Sequence, residues 1–182
     1  MNLWNLPQTA EIGGVEYRIN ADFRDVLEIV KYLTDASRPE YLRWQIALGL
    51  FYDGDIPYRD QVAAMEYLSA FISYGNTEDK PSQKLMDWDQ DAQIIISDVN
   101  KVAGKEIRAE RFVHWWTFLA YFNAIGEGQL STVVSIRSKR QKGKKLEKWE
   151  QEYYRENRKK VDFQTPETPE KVAEKAYFDK WL

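Results

Sequence analysis

The chain has 182 residues, of which 43% are hydrophobic and 14% aromatic, so it is long enough to form a packed core, and its net charge of −3 argues against a protein that is basic overall. The absence of cysteine excludes disulfide scaffolds, thiolate zinc sites and thiol nucleophiles. The first residues lack the basic and apolar regions of a signal peptide, and no apolar run approaches the ~18 residues that a membrane helix needs. We therefore expect a soluble cytoplasmic protein without membrane contact.

The N-terminal segment predicts a β-hairpin followed by a helix. Two short strands flank Gly13-Gly14, a dipeptide that suits the tight turn of a hairpin. Asn20 or Asp22 can cap the first helix, because both side chains accept hydrogen bonds from free backbone N–H groups. The apolar face of this helix consists of Phe23, Val26, Leu27, Val30 and Leu33.

Two further helices are predicted between residues 39 and 75. Pro39 suits the first turn of the second helix, and the segment "DGDIP" ends that helix. Its apolar stripe consists of Tyr41, Trp44, Leu48 and Phe51. A third helix follows, and Gly75 is a natural residue for its C-terminal stop. The apolar residues of the third helix are Ala64, Leu68, Phe71 and Ile72.

The next part of the chain is also predicted to be helical. Residues 88–102 place apolar side chains on one stripe of a helix, although the run Ile94-Ile95-Ile96 also fits a strand. Residues 108–125 predict a helix that is apolar on nearly all sides, as expected at the centre of a domain. A shorter helix follows from Leu130 to Ile136.

These elements predict a mainly α fold with two parts. The first is a compact helical domain over residues 1–140 that begins with the short β-hairpin, and the second is a charged helical extension over residues 141–182. The expected aromatic core of the domain consists of Phe23, Trp44, Phe71, Trp115, Trp116 and Phe118.

The extension differs from the domain in composition. Residues 137–148 contain seven Lys or Arg and one Glu. A helix is predicted over residues 146–160, "TPETPE" breaks it, and Pro169 can begin a last helix. Because both helices have thin apolar stripes, the extension has too little apolar surface to fold alone. We expect it to be mobile, to pair between subunits, or to pack back on the domain.

Basic and aromatic side chains of the extension form a candidate partner-binding surface, because Trp and Tyr concentrate binding energy at interfaces. The candidate residues are Lys144, Lys145, Trp149, Tyr153, Tyr177 and Trp181. The alternative is a nucleic-acid-binding regulator that uses the basic helix 137–160 to contact phosphates and stack bases. The glutamates that interrupt this basic helix favour a solvated helix, or one that docks on an acidic protein, over nucleic-acid binding; they are Glu147, Glu150, Glu152 and Glu156.

The titratable clusters do not match a catalytic or metal site. His114 has no Cys, no second His and no HExxH spacing near it, so we expect a packing or capping residue. The aspartates of "DGDIPYRD" do not follow the spacing of an EF-hand loop. Those of "DWDQD" could hold magnesium, but their position at a helix start favours interaction with the helix dipole. We expect no catalytic residue, no cofactor and no metal, and hence no enzyme.

A series of short motifs points to a known family. They are Tyr17-Arg18-Ile19-Asn20, Asp22-Phe23-Arg24, Leu50-Phe51-Tyr52, Phe71-Ile72 before Gly75, Asp91 before the isoleucines, His114-Trp115-Trp116 with Phe118, and Ile136-Arg137. In this order and spacing, the motifs resemble the phage gene-product-fifteen family of tailed siphophages and prophages over about residues 5–140. The His-Trp-Trp motif with its trailing Phe is the most specific of them.

The resemblance implies a tail assembly chaperone, encoded between the major tail protein and the tape measure protein. Such a protein is non-catalytic, acts in the host bacterial cytoplasm and is not expected in the mature virion. Its implied partners are the tape measure protein, whose apolar stripes need covering before the tube encloses them, and the major tail (tube) protein. Association of the chain with itself, as a homo-oligomer, is compatible with this function.

Overall fold

The computed structural model describes residues 4–74 and 84–164. Contacts between Cα atoms divide the chain into two compact units. The first unit is Met1–Gln83 with Ile95–Gly126, and the second is Lys84–Ile94 with Glu127–Leu182. The fold is mainly helical with one short hairpin, which confirms the predicted fold class.

The N-terminal hairpin is formed by the antiparallel strands β1 (Thr9–Ile12) and β2 (Val15–Arg18). Gly13 and Gly14 connect them with φ angles of 60° and 80°. Two successive positive φ angles give a turn whose twist matches that of the strands, and glycine adopts them without steric cost. The hairpin predicted around this dipeptide is therefore confirmed.

The first unit continues with α1 (Phe23–Thr34), α2 (Glu40–Phe51) and α3 (Gln61–Ile72), which confirm the three predicted helices. Asp22 caps α1, because its carboxylate accepts a hydrogen bond from the backbone N–H of Arg24. Helix α1 packs against α2, and α2 packs against α3. The buried residues of the three helices are Phe23, Val26, Ile29, Ala47, Leu48, Phe51, Ala64, Leu68 and Phe71.

The fourth helix, α4 (Ala92–Ala103), begins four residues later than predicted. The residues before it form a turn, in which the carboxylate of Asp87 accepts hydrogen bonds from the backbone N–H groups of Asp89 and Gln90. These local bonds compete with helical hydrogen bonding and delay the start of the helix. The isoleucine run lies in the helix, which excludes the strand alternative.

Helix α5 (Trp115–Asn123) is shorter than the helix predicted over residues 108–125. The segment before α5 runs extended, and the backbone N–H of Phe23 donates a hydrogen bond to the carbonyl of Val113 at 2.9 Å. The predicted helix start was wrong because the start of α1, which is distant in the chain, binds the backbone carbonyl of Val113 that a helix would otherwise use. Phe112, which was expected in the helix, is half exposed.

Three helices follow in the second unit: α6 (Gln129–Gln141), α7 (Lys148–Glu156) and α8 (Arg158–Val161). The single helix predicted over residues 146–160 is divided at Asn157, whose backbone angles of −116° and 27° leave the helical region.

The two compact units do not divide at residue 140, where the sequence predicts a boundary. Residues 127–140 belong to the same unit as residues 141–164 and residues 84–94. Arg137 in α6 explains this grouping, since its guanidinium binds backbone carbonyls at residues 85, 160 and 161. The last predicted helix, from Pro169, lies outside the described residues.

Five of the six predicted core aromatics are buried, and Trp44 is half-buried. Trp116 is only 2% exposed, its ring stacks on Phe71 at a centroid distance of 5.5 Å, and its indole N–H donates to the Phe71 carbonyl at 2.9 Å. An edge contact with Tyr74 at 5.0 Å covers another side of the indole. No helix among the described residues is long and apolar enough to cross a membrane.

Substitution Trp116→Ala should lower the free energy of unfolding by roughly 3–5 kcal/mol, because it leaves a cavity beside Phe71 and removes the hydrogen bond from the indole to the Phe71 carbonyl. Tyr58→Ala is the control, since Tyr58 is 90% exposed and its loss should change stability by less than about 0.5 kcal/mol. Urea unfolding followed by circular dichroism measures both values. Equal unfolding midpoints for Trp116→Ala and the unmodified chain would contradict the core role of Trp116.

Candidate partner-binding surface

A buried salt bridge lies at the centre of the second unit. Arg137 is 3% exposed, and its Nη1 and Nη2 atoms donate to the two carboxylate oxygens of Asp91 at 2.6 and 2.9 Å. The remaining N–H groups donate to the carbonyls of Leu85, Lys160 and Val161 at 3.0, 2.8 and 2.7 Å. All five N–H groups of the guanidinium are thus paired, which joins three segments of the chain.

Beside this salt bridge lies an open cavity of about 250 Å³. The ring of Phe163 covers the Arg137 guanidinium at 4.2 Å, and Arg140 lies 4.1 Å from the ring centre of Tyr154. The carboxylate of Asp162 accepts hydrogen bonds from Arg140 and from the Tyr154 hydroxyl. The charged groups at this cavity are therefore already paired with one another, and their arrangement stabilises the unit.

The segment Lys142–Lys148, which connects α6 to α7 and includes the first residue of α7, is called the lysine loop below. Helix α6 ends at this loop in a Schellman motif: the N–H of Gly143 donates to the carbonyl of Arg140, and the N–H of Lys144 donates to that of Lys139. The distances are 3.0 and 2.8 Å. Gly143 has a φ angle of 64°, a conformation that glycine adopts readily. The start of the lysine loop is thus held by the end of α6.

A second contact closes the lysine loop. The Lys139 ammonium donates to Oε1 of Glu150 at 2.6 Å, and Oε2 of Glu150 accepts from the backbone N–H of Glu147 at 2.8 Å. The hydrogen bond from Lys139 lowers the pKa of Glu150, so this 1% exposed side chain stays charged at neutral pH. The two ends of the loop are therefore joined by a paired carboxylate.

The structure brings four of the six predicted partner-binding residues together in the lysine loop and α7. Lys144 and Lys145 are exposed, Tyr153 is half-buried, and Trp149 is 53% exposed with its indole N–H donating to Glu147 at 3.0 Å. The remaining two, Tyr177 and Trp181, lie outside the described residues. Trp149 thus presents a large apolar surface within five positions of the exposed Lys144, Lys145 and Lys148 in the chain.

The basic run divides into paired and unpaired cations. The pairs are Arg137 with Asp91, Lys139 with Glu150, Arg140 and Arg158 with Asp162, and Arg155 with Glu152. Among the residues that the structure describes, no ion pair involves the four lysines of the lysine loop. Unpaired positive charge therefore concentrates at this loop, and a smaller share lies at Lys159 and Lys160.

The sequence pattern predicts that Glu150 interrupts an exposed basic helix, whereas in the structure Glu150 is buried and paired with Lys139. In the sequence, Arg137 also counts as one cation of the basic run, although its guanidinium joins three segments of the second unit. Neither role has a local signal, because Asp91 is 46 residues from Arg137 and Glu150 is 11 residues from Lys139. The apolar spacing of α6 offers one indication, since Arg137 directly follows the buried Ile136.

His114 acts as the N-cap of α5. Its Nδ1 accepts a hydrogen bond from the backbone N–H of Trp116 at 3.1 Å, so the neutral ring carries its proton on Nε2 and donates it to the Pro7 carbonyl at 3.0 Å. Burial lowers the pKa of His114, and the contact with Pro7 opposes this shift only in part. The buried imidazole is therefore neutral and has a structural task.

The aspartates of the "DWDQD" segment also have structural partners. The carboxylate of Asp87 caps the turn before α4, and Asp91 binds both Arg137 and the backbone N–H of Asp87. Over residues 4–74 and 84–164, no group of three or more His, Asp or Glu side chains is arranged to hold a metal ion.

The chain matches the family model described as Bacteriophage Gp15 protein over residues 4–163 and therefore belongs to that family of phage proteins. The match extends past residue 140, where the sequence resemblance was expected to end, and includes the lysine loop, α7 and α8. No curated protein and no solved structure matches the chain.

Substitution Arg137→Ala should lower the free energy of unfolding by about 3–5 kcal/mol, because it leaves Asp91 buried without its counter-charge. Arg155→Ala is the matched control, since the exposed pair with Glu152 should contribute less than about 0.5 kcal/mol. Urea unfolding of both variants measures the difference. A loss below 1 kcal/mol in Arg137→Ala would show that the salt bridge does not hold the second unit together.

Stability should fall with pH below about 6.5, because the unfolded chain binds a proton at His114 more readily than the folded protein does. His114→Asn keeps a side chain that can accept from Trp116 but removes the titration. Thermal melts between pH 8 and pH 5 should therefore show a larger decrease for the unmodified chain than for the variant. Parallel pH profiles would show that His114 makes no contribution to the acid sensitivity.

Proposed function

We propose that this phage protein is a non-catalytic tail assembly chaperone that binds the tape measure protein and aids assembly of the tail tube. Membership of the Bacteriophage Gp15 family and the motif resemblance support this proposal. The observation that carries it is the exposed surface of the lysine loop and Trp149, which combines unpaired cations with an apolar ring. Such surfaces are typical of protein interfaces, where Trp contributes a large share of the binding energy.

A non-catalytic function is supported by the structural roles of four buried titratable side chains. Asp22 caps α1, Asp91 neutralises Arg137, His114 caps α5, and Glu150 closes the lysine loop. Each of these groups is bound to a backbone N–H or to a cation of the protein itself. Their positions are those of structural residues, whereas a catalytic group needs access to a substrate.

The tape measure protein is the proposed main partner because a long helical chain with apolar stripes needs those stripes covered before the tube encloses it. The major tail (tube) protein is the proposed second partner, held near the tape measure protein while the tube polymerises. We place this activity in the host bacterial cytoplasm, before the mature virion forms. Association of the chain with itself belongs to the same proposal.

Nucleic-acid binding through residues 137–160 is the alternative function, and the unpaired lysines of this segment favour it. Against it, five cations of the segment are paired within the protein, and exposed Glu147, Glu152 and Glu156 lie along the same stretch. These carboxylates repel phosphates. A protein partner fits this mixed surface better than a continuous polyanion does.

Co-expression with the tape measure protein of the same gene cluster tests the proposed function. The full chain should capture this protein in a pull-down, and Trp149→Ala should weaken the capture about tenfold or more without changing the unfolding midpoint. Tyr58→Ala is the control for an exposed aromatic of the first unit. Absence of capture by the unmodified chain, together with a gel shift of duplex DNA, would favour the alternative function.

The same pull-down, performed with shortened chains, tests whether Tyr177 and Trp181 contribute to binding of the tape measure protein. A chain that ends at Gln164 keeps every carbonyl that Arg137 binds, whereas a chain that ends at residue 140 loses those of Lys160 and Val161. Only the chain that ends at Gln164 therefore separates partner binding from folding.

A further inference from the structure

The lysine loop carries the densest unpaired charge of the described residues. It contains Lys142, Lys144, Lys145 and Lys148 within seven positions, and Glu147 is its one acidic residue. All four lysines are exposed. The chain as a whole has a net charge of −3, so this positive patch is local and does not follow from the composition. A patch of this kind attracts anionic groups and steers a binding partner toward one place on the surface.

The lysine loop is also held in one conformation. The Schellman motif at Gly143 fixes its start, and the Lys139–Glu150 pair joins the helices on either side of it. The backbone N–H of Glu147 is bound to the same Glu150 carboxylate. Because the backbone is ordered before binding, a partner does not have to supply the free energy for ordering it.

The neighbourhood of the loop favours a protein segment over a nucleic acid. The Trp149 ring is half exposed, but its indole N–H is bound to the Glu147 carboxylate, so a negative charge lies beside the ring. A base stacked on Trp149 would bring its phosphates close to this carboxylate and to Glu152, one turn further along α7. A peptide can instead place separate carboxylates at the lysines and an apolar side chain at the ring.

From these observations, we infer that the lysine loop is a preformed docking site for an acidic segment of a partner protein. Carboxylates of the segment bind Lys142, Lys144 and Lys145, and an apolar residue between them packs on Trp149. The inference rests on the proposed function in naming the partner: an acidic segment of the tape measure protein is the occupant. It adds the position and the chemistry of the contact.

The test is capture of the tape measure protein by the full chain carrying Lys144→Glu and Lys145→Glu. This double variant should weaken capture about tenfold or more, because carboxylates would then face the acidic segment. The matched control is Lys159→Glu with Lys160→Glu, which changes the charge equally but lies beyond α7, a helix roughly 13 Å long. The control should retain capture, and the unfolding midpoints of both variants verify the fold.

Overlapping 20-residue peptides of the tape measure protein then identify the segment. Peptides that bind the unmodified chain should be acidic, should lose binding when their Asp and Glu are replaced by Asn and Gln, and should bind more weakly at higher salt. If the unmodified chain captures the tape measure protein and both double variants do so equally well, or both lose capture equally, the docking site is wrong while the proposed function stands.

Failure of the unmodified chain to capture the tape measure protein overturns the proposed function and the named occupant together. Binding of a 30-base-pair DNA duplex gives a separate outcome, measured by fluorescence anisotropy with the same double variants. DNA binding that Lys144→Glu with Lys145→Glu removes, in a chain whose peptides show no binding, overturns the protein docking site in favour of a nucleic-acid site.

Discussion

Two buried aspartates hold distant segments of the chain together, one in each unit. Asp91 binds the guanidinium of Arg137, which also binds the carbonyl of Leu85 in the segment of Asp91 and those of Lys160 and Val161 in α8. Asp22 accepts hydrogen bonds from Arg24 and from the backbone N–H of Val113, 91 residues away. A buried carboxylate costs several kcal/mol of desolvation unless its charge and lone pairs are matched. The segments that supply the cations and N–H groups for these carboxylates are thereby held in one arrangement, which also fixes the helices attached to them.

The contacts of Arg137 fix the position of α6, and the C-terminal end of α6 fixes the start of the lysine loop. The cations of this basic run therefore form two groups: some form ion pairs within the protein, and the others are exposed to solvent. The half-buried Lys139 closes the loop through Glu150, whereas Lys144 and Lys145 are exposed and remain unpaired among the described residues. Residues 137–148 therefore contain three cations that form ion pairs within the protein and four exposed lysines that form none among the described residues.

These two groups of cations support the proposal that the protein acts by binding partners at its surface. Asp22, Asp91, Glu150 and the one histidine are engaged in capping and in ion pairing, and the half-exposed Trp149 follows the exposed lysines of the lysine loop in the chain. The proposed chaperone function would use such a combination to bind apolar segments of a partner and then release them. Under that proposal, electrostatic attraction to the lysine loop gives fast and salt-dependent association, and contact with one exposed aromatic, Trp149, limits the affinity.

The sequence by itself determined the features that depend on neighbours within one or two helical turns. These are the mainly helical class, the turn at Gly13-Gly14, the cap at Asp22 and most of the buried aromatics, because glycine dihedrals, capping and apolar spacing are local properties. Only the tertiary structure decided where α5 begins, since its start depends on an extended segment beside α1. It also decided that Arg137 and Glu150 are buried, because the opposite charge that compensates each of them comes from a different part of the chain.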